Sequence, residues 1–353
     1  MLASVILIII LGVISVGGIE DVWLRAVAGN RLSIFEFDVA VRDTFWSVSI
    51  GSIFHYMCLA LLNQSAMQKF MAVSTNAHAS RAIAIFCIGF IVLTLLVICV
   101  GVIAYAKYWD CDPLTTNQVE RLDQLIPLLA MEVAGKIPGV PGIFIAGVFC
   151  ASLSSLSSSL NTISCSIYED FIAVFNHKTF SETTVNVILK VIVLITGLIC
   201  IALIFGFENM AGVFDFTLAV QAITNGPLLG LFTVGVLCPW VNGKGALVGG
   251  LSGLAFISWI VIGNQLYKSQ GFIDYAKQMS TDGCIFGFNG TERIDDFVEP
   301  PFILYRISIW YNSLIAAIFV VISASLVSWL TKAKYHAVDA NLISPIIRSL
   351  IRD

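Results

Sequence analysis

The feature that most constrains this chain is a series of long runs almost free of charge. A helix needs about 20 apolar residues to cross a hydrocarbon core roughly 30 Å thick. Eight stretches qualify, at about 1–18, 45–66, 82–106, 141–168, 184–206, 210–238, 245–266 and 304–330. Between residues 45 and 266 the only acid well inside a run is Asp215, and Lys190 sits near a run's end. Of 353 residues, 58% are hydrophobic and 12% charged, where a soluble domain carries roughly 25% charged residues. Lipid leaves backbone N–H and C=O groups no solvent partner, so such runs must close their own hydrogen bonds as helices. The reading is an all-α membrane protein of about eight transmembrane helices, filling residues 1–330.

Several function classes drop out. The net charge of −4 comes with no basic cluster, which argues against nucleic acid. Nine cysteines contain no CxxC pair, and neither a zinc motif nor a cofactor-binding motif is present. An intramembrane enzyme would need HExxH, a Ser–His dyad or paired acids; there is no HExxH and no second intramembrane acid near Asp215. The first run has no basic flank and no cleavage site, unlike a signal peptide. It reads as an ordinary helix whose upstream neighbours are missing.

Orientation follows from the loops. The long linkers 19–44, 107–140 and 267–303 fall on one side, while Lys and Arg divide evenly and are silent. Asn289-Gly290-Thr291 is a glycosylation acceptor, which functions on the luminal side, so the long loops are placed outside. Cys111 and Cys284 are the only cysteines in those loops. An oxidising exterior makes them a candidate disulfide. Residues 331–353 then form a cytoplasmic tail.

The run from Ile137 carries the most chemistry: PGVPGIFIAGVFCASLSSLSSSLNTISCS. At 100° per residue, Gly147, Ala151, Ser154, Ser155, Ser158 and Thr162 share one stripe. Neutral hydroxyl and carbonyl oxygens can desolvate a hard monovalent cation without trapping it behind a full charge. Small residues and back-bonded hydroxyls also serve helix packing, and on composition alone packing is the favoured reading. Gln221, Thr224, Asn225, Gly226 and Pro227 put polar groups and a helix breaker mid-membrane. A broken helix there would aim backbone dipoles at a solute; a packing kink is the equal alternative. Asn63, Gln64 and Gln68 end the second run, as a helix terminus or as substrate contacts. His55 reads as a core residue, and Asp215 equally as a functional acid or a solvated cap.

The order PGVPGIFIAGVFCASLSSLSSSLN, followed by Tyr168-Glu169-Asp170, resembles the sodium:solute symporter family, nearest its monocarboxylate and multivitamin transporters. Asn63-Gln64, Gln68-Lys69-Phe70, Cys111-Asp112-Pro113-Leu114, Asp123-Gln124-Leu125-Ile126-Pro127 and Gly226-Pro227-Leu228-Leu229-Gly230 support it. The resemblance implies part of the inverted-repeat (LeuT-like) symporter fold. Run one would be the last helix of the first repeat, runs two to six the second repeat, and the last two peripheral; the first four core helices are absent. It also implies that Ala151, Ser154 and Ser155 line a sodium site, with Ser157 and Ser158 matching a second one in some members. Lys69 stands where the family usually has Arg, losing the planar fork. The implied function is sodium-coupled symport of a small organic anion, a monocarboxylate or vitamin-like carboxylate, across the plasma membrane. Sodium would be the only metal, and lipid, sodium and carboxylate the partners. A truncated, non-transporting fragment or membrane subunit of such a transporter remains the alternative.

Overall fold

The computed structural model describes residues 2–32, 35, 37, 41–135, 137–175, 180–207, 213–270, 280–281, 283–284 and 302–331. Asn289 and the tail beyond residue 331 lie outside them. The described residues are helical or irregular, with no strand among them. In order they form α1 (Leu2–Val16), α2 (Ile19–Ala28), α3 (Ser52–Met57), α4 (Gln64–Met71), α5 (Asn76–Lys107), α6 (Leu125–Ala134) and α7 (Val140–Ile167). The series continues with α8 (Glu182–Phe207), α9 (Val213–Leu237), α10 (Gly243–Ser269), α11 (Ile303–Arg306) and α12 (Asn312–Thr331).

Among the described residues six helices are long and apolar enough to cross a bilayer: α5, α7, α8, α9, α10 and α12. The bent pair α1–α2 makes a seventh if counted as one span. The first expected span is therefore shorter than its apolar run. Leu2–Val16 is 15 residues, about 22 Å of helix, and the chain then turns by 78° into α2. Gly17 (φ 118°) and Gly18 (φ 135°) make that turn in backbone conformations that other residues rarely adopt. The second expected span is a composite. π-helical turns at Ser47–Gly51 and Cys58–Leu62 flank α3, so the apolar run is there but its winding is not regular. Its start is fixed by Thr44 and Ser47, each side-chain oxygen accepting the other residue's N–H, at 3.2 and 2.8 Å.

Caps mark other boundaries. Thr75 Oγ1 accepts the His78 N–H before α5, and Asn242 Oδ1 accepts the Gly245 N–H before α10. Pro141 lies in the first turn of α7, where its missing N–H costs nothing.

The chain divides into two compact units. In the first, Ile8 of α1, Val100 and Ala104 of α5, and Leu129 and Ala130 of α6 form a buried cluster. Val16, Val22, Ile103 and Ala106 extend packing to α2. In the second, Ala219 and Ala222 of α9, Ile257, Ile260 and Val261 of α10, and Ala316 of α12 are buried together. Here glycines bring backbones close. A Cβ on Gly226 would meet Ala316 Cβ at 2.6 Å, and one on Gly249 would lie 2.7 Å from Ala324 Cβ and 2.9 Å from its backbone N. Gly245, Gly249 and Gly253, each one helical turn apart, all face α12. Without a hydrophobic force between helices in lipid, this close approach is what gives van der Waals contact its strength.

Candidate ion and substrate site

The hydroxyl stripe of α7 is graded along its length. Gly147 and Thr162 at its ends are buried, Ala151 and Ser158 are half-buried, and Ser154 and Ser155 are exposed. The Thr162 hydroxyl donates to the Ser158 carbonyl at 2.9 Å and Ser166 to the Thr162 carbonyl at 3.1 Å. The lower end of the stripe thus satisfies its hydroxyls within the helix. Within its unit α7 packs on α8, α6 and α1, yet only 6% of its most apolar stretch is buried. Among the described residues no three His, Cys, Asp or Glu side chains converge on a metal position.

The second polar set lies on α9, and of the two alternatives raised by its proline the structure shows no break. The helix runs unbroken from Val213 to Leu237 with Pro227 inside it. Pro227 removes one N–H, the one that would donate to the Ile223 carbonyl; neighbouring helices make this tolerable in a membrane. The Thr224 hydroxyl is turned back on its own helix, donating to the Val220 and Gln221 carbonyls at 3.3 and 3.2 Å. The Asn225 carbonyl accepts from Cys58 Sγ at 3.5 Å. Gln221 hydrogen-bonds His55, which is buried and edge-on to Tyr56 and Trp310. Gln221 and Asn225 are thus tied, through side chain and carbonyl respectively, to the segment around α3.

Asn63 is a cap. Its Oδ1 accepts the N–H groups of Ser65 and Ala66 at 2.9 and 3.3 Å, starting α4. Asn63, Gln64 and Gln68 are all exposed.

Asp215 has partners that the sequence did not disclose. Its carboxylate takes Arg42 Nη1 at 3.0 Å and also Lys268 Nζ, with all three side chains half-buried. Arg42 is fixed further by its backbone, whose carbonyl accepts from Ser47 Oγ at 2.9 Å and Ser308 Oγ at 2.6 Å. Trp310 Nε1 donates to the adjoining Asp43 at 2.9 Å. Asp215 lies in the first turn of α9 and Lys268 in the last turn of α10, so each charge also complements its helix dipole. No local pattern points from Arg42 to Asp215; only the location of three charges at run ends hinted at a cluster.

Cys111 and Cys284 form a disulfide, their Cα atoms 5.0 Å apart and 173 residues apart in sequence. Backbone bonds flank it: Gly283 N–H to the Asp110 carbonyl at 2.9 Å and Asp112 N–H to the Ser280 carbonyl at 3.2 Å. The long linkers that supply these residues therefore meet at one end of the first unit.

Against this geometry, the description "Sodium:solute symporter family" matches residues 1–253. The chain belongs to the sodium:solute symporter family. Sodium-coupled monocarboxylate transporter 2 of Homo sapiens is 31% identical over 353 residues, 98% of this chain and 57% of that protein. A Drosophila melanogaster protein named for sodium-dependent multivitamin transport is 31% identical over 346 residues, 94% of this chain and 56% of that one. The chain thus spans a little over half the length of these relatives. Among solved structures, a substrate-bound, outward-open Na+-coupled sialic acid symporter matches with a TM-score of 0.66. It covers 93% of this chain and 59% of that one at 17% identity, and shares the symporter fold. This family member is a multi-pass membrane protein, and the family and these relatives are transporters rather than enzymes.

Proposed function

We propose that this protein takes part in sodium-coupled symport of a small organic anion, a monocarboxylate or vitamin-like carboxylate, at the plasma membrane. One observation carries the reading. α7 combines small residues with hydroxyls, the composition of a packed membrane helix, yet leaves Ser154 and Ser155 exposed. Exposed hydroxyls facing lipid would gain nothing; as one wall of an ion site they supply ligands. Ala151, through its carbonyl, and Ser154, Ser155 and Ser158 are the proposed sodium ligands, completed by a second wall facing them. Sodium is a co-transported ion here, not a resident cofactor.

Within this reading α1 closes a first repeat, the segment from α3 to α9 is the second, and α10 and α12 are peripheral. The disulfide end faces the exterior, and the segment after residue 331 is cytoplasmic. Asn63, Gln64, Gln68, Gln221, Thr224 and Asn225 are the substrate-path candidates, with Asn63 Oδ1 also capping α4. Each inward sodium supplies about 2.3 kcal/mol per 100 mV and about 1.4 kcal/mol per tenfold gradient, enough for two ions to concentrate a monoanion against the potential. The test is uptake of labelled monocarboxylates by cells expressing the protein, with sodium replaced by choline. Ser154→Ala or Ser155→Ala should each raise the sodium concentration for half-maximal uptake about tenfold, equivalent to about 1.4 kcal/mol. Ser152→Ala, about 110° round the helix from the centre of the stripe, should not. Equal effects at all three positions would assign the stripe to packing.

A further inference from the structure

We propose that α2 is an interfacial helix, lying along the bilayer surface with one face in the headgroup–acyl boundary of zwitterionic phospholipid. The proposal does not depend on the transport reading. The apolar helix α1 leads into α2 across only Gly17 and Gly18, and the two axes differ by 78°. If α1 crosses the membrane, α2 must run nearly parallel to its plane. Its depth is set by what it rests on. Val22 is buried together with Ile103 and Ala106, in the last turns of α5, and Ala26 is buried one turn on from Val22. Arg25 Nη1 donates to the Ala106 carbonyl at 2.8 Å, satisfying one of the carbonyls that end α5. Arg31, just beyond α2, lies over the Tyr105 ring at 4.4 Å. All of these contacts are at the end of a membrane-crossing helix, where hydrocarbon gives way to headgroups.

The outward side of α2 is apolar. Ile19, Trp23, Leu24 and Val27 are 76, 62, 57 and 52% exposed, four large side chains in ten residues. Indole is the side chain most at home at headgroup depth, with an apolar body and one N–H donor. The lipid-facing surface of α1, with Ile6, Ile10 and Ile14 exposed, continues into this face. Polar groups sit where such a helix needs them. Asp21 folds back over Gly17, Arg25 points to α5, and Glu20 is in the first turn, where the helix dipole favours an acid. Glu20, Asp21 and Arg25 of the helix, with Arg31 just beyond it, sum to zero charge, so the segment has no excess of cations to draw it to acidic lipid and suits a zwitterionic surface.

Quenching of tryptophan fluorescence tests this in the whole protein. It is reconstituted in phosphatidylcholine brominated either near the headgroup or near the acyl terminus. Subtracting the Trp23→Phe signal from the parent's isolates the Trp23 emission. Headgroup-proximal bromine should quench that component at least about twofold more than deep bromine, and aqueous iodide should quench it weakly. Restoring an indole one turn on, as Val27→Trp in the Trp23→Phe background, should restore the same pattern. Strong iodide quenching without lipid quenching would place the face in water. Absence of both would mean that protein covers it, a second copy or another polypeptide. Either result overturns the proposal.

Discussion

Helices α10 and α7 share a composition and differ in everything around it. Both are rich in Gly, Ala and Ser, and α5 and α8 are more apolar than either. In α10, 39% of the most apolar stretch is buried, the seam against α12 closing over Gly245, Gly249 and Gly253. In α7 the figure is 6%, the same as in the far more apolar α5 and α8. For α5 and α8 low burial is unremarkable, because lipid is as good a surrounding as protein for Leu and Ile. For α7 it is not, because small residues and hydroxyls gain nothing from acyl chains. The lesson is that in a membrane neither apolarity nor small-residue content alone predicts burial; a small-residue helix is buried where a partner helix meets its glycines, as α12 meets those of α10.

The contrast can be broken most directly at its glycines. Gly249→Leu must displace Ala324, backbone included, and should destabilise the protein by about 3 kcal/mol, read as a lower unfolding midpoint in detergent. Gly142→Leu in α7 and Gly197→Leu in α8, where nothing lies within 4 Å of the added Cβ, should shift it little. Similar shifts at all three would erase the distinction between the regions.

The next effect belongs to the charged end of the second unit. Asp215→Asn leaves Arg42 and Lys268 facing each other without their shared carboxylate. A loss of about 2 kcal/mol is expected, larger than for Lys268→Met, which leaves the Arg42 pair intact. If the lysine variant proves the more damaging, Asp215 is not the centre of the cluster.

A smaller effect lies in the first unit. Tyr108 Oη donates to Glu132 Oε2 at 3.1 Å, and burial, with the Glu132 charge second, pushes the phenol well above the ordinary tyrosine range. The unfolded chain ionises near pH 10 while the folded one holds its proton. This contribution to stability is therefore complete below about pH 10 and lost as pH rises toward the elevated value. Tyr108→Phe should cost about 1 kcal/mol at neutral pH and flatten that alkaline decline; an unchanged alkaline slope would count against it. Least affected should be the open face of α7. Ser154→Ala and Ser155→Ala should change stability by no more than about 0.5 kcal/mol while weakening sodium dependence, a separation that a packing role would not produce.

What the sequence disclosed and what it hid have physical causes. The spans were legible because bilayer thickness imposes one length on every run, and α5, α8 and α10 carry that signal alone. The bend after α1 was written in Gly17-Gly18, but a pair of glycines does not say which way the chain turns. Pro227 could not decide between a break and a kink, since the rule that proline breaks helices is learned where water competes for the freed carbonyl. The π turns around α3 left no trace, because an extra residue in a helical turn needs no special side chain. The Asn63 cap could have been found from an Asn directly before a helix. Arg42 with Asp215 could not, for the two lie far apart in sequence and no pattern local to either names the other.

The α10–α12 seam and the turns around α3 also differ as mechanical parts. The seam is a beam: its glycines hold the two helices at backbone distance, so a push at one end arrives at the other. The segment Ser47–Leu62 is a swivel. Each π turn stores one residue more than an α turn would, and winding it into α geometry would rotate everything beyond it by about 100°. His55, between the two turns, would leave Gln221 on such a rotation, while the beam beside it stayed as it is.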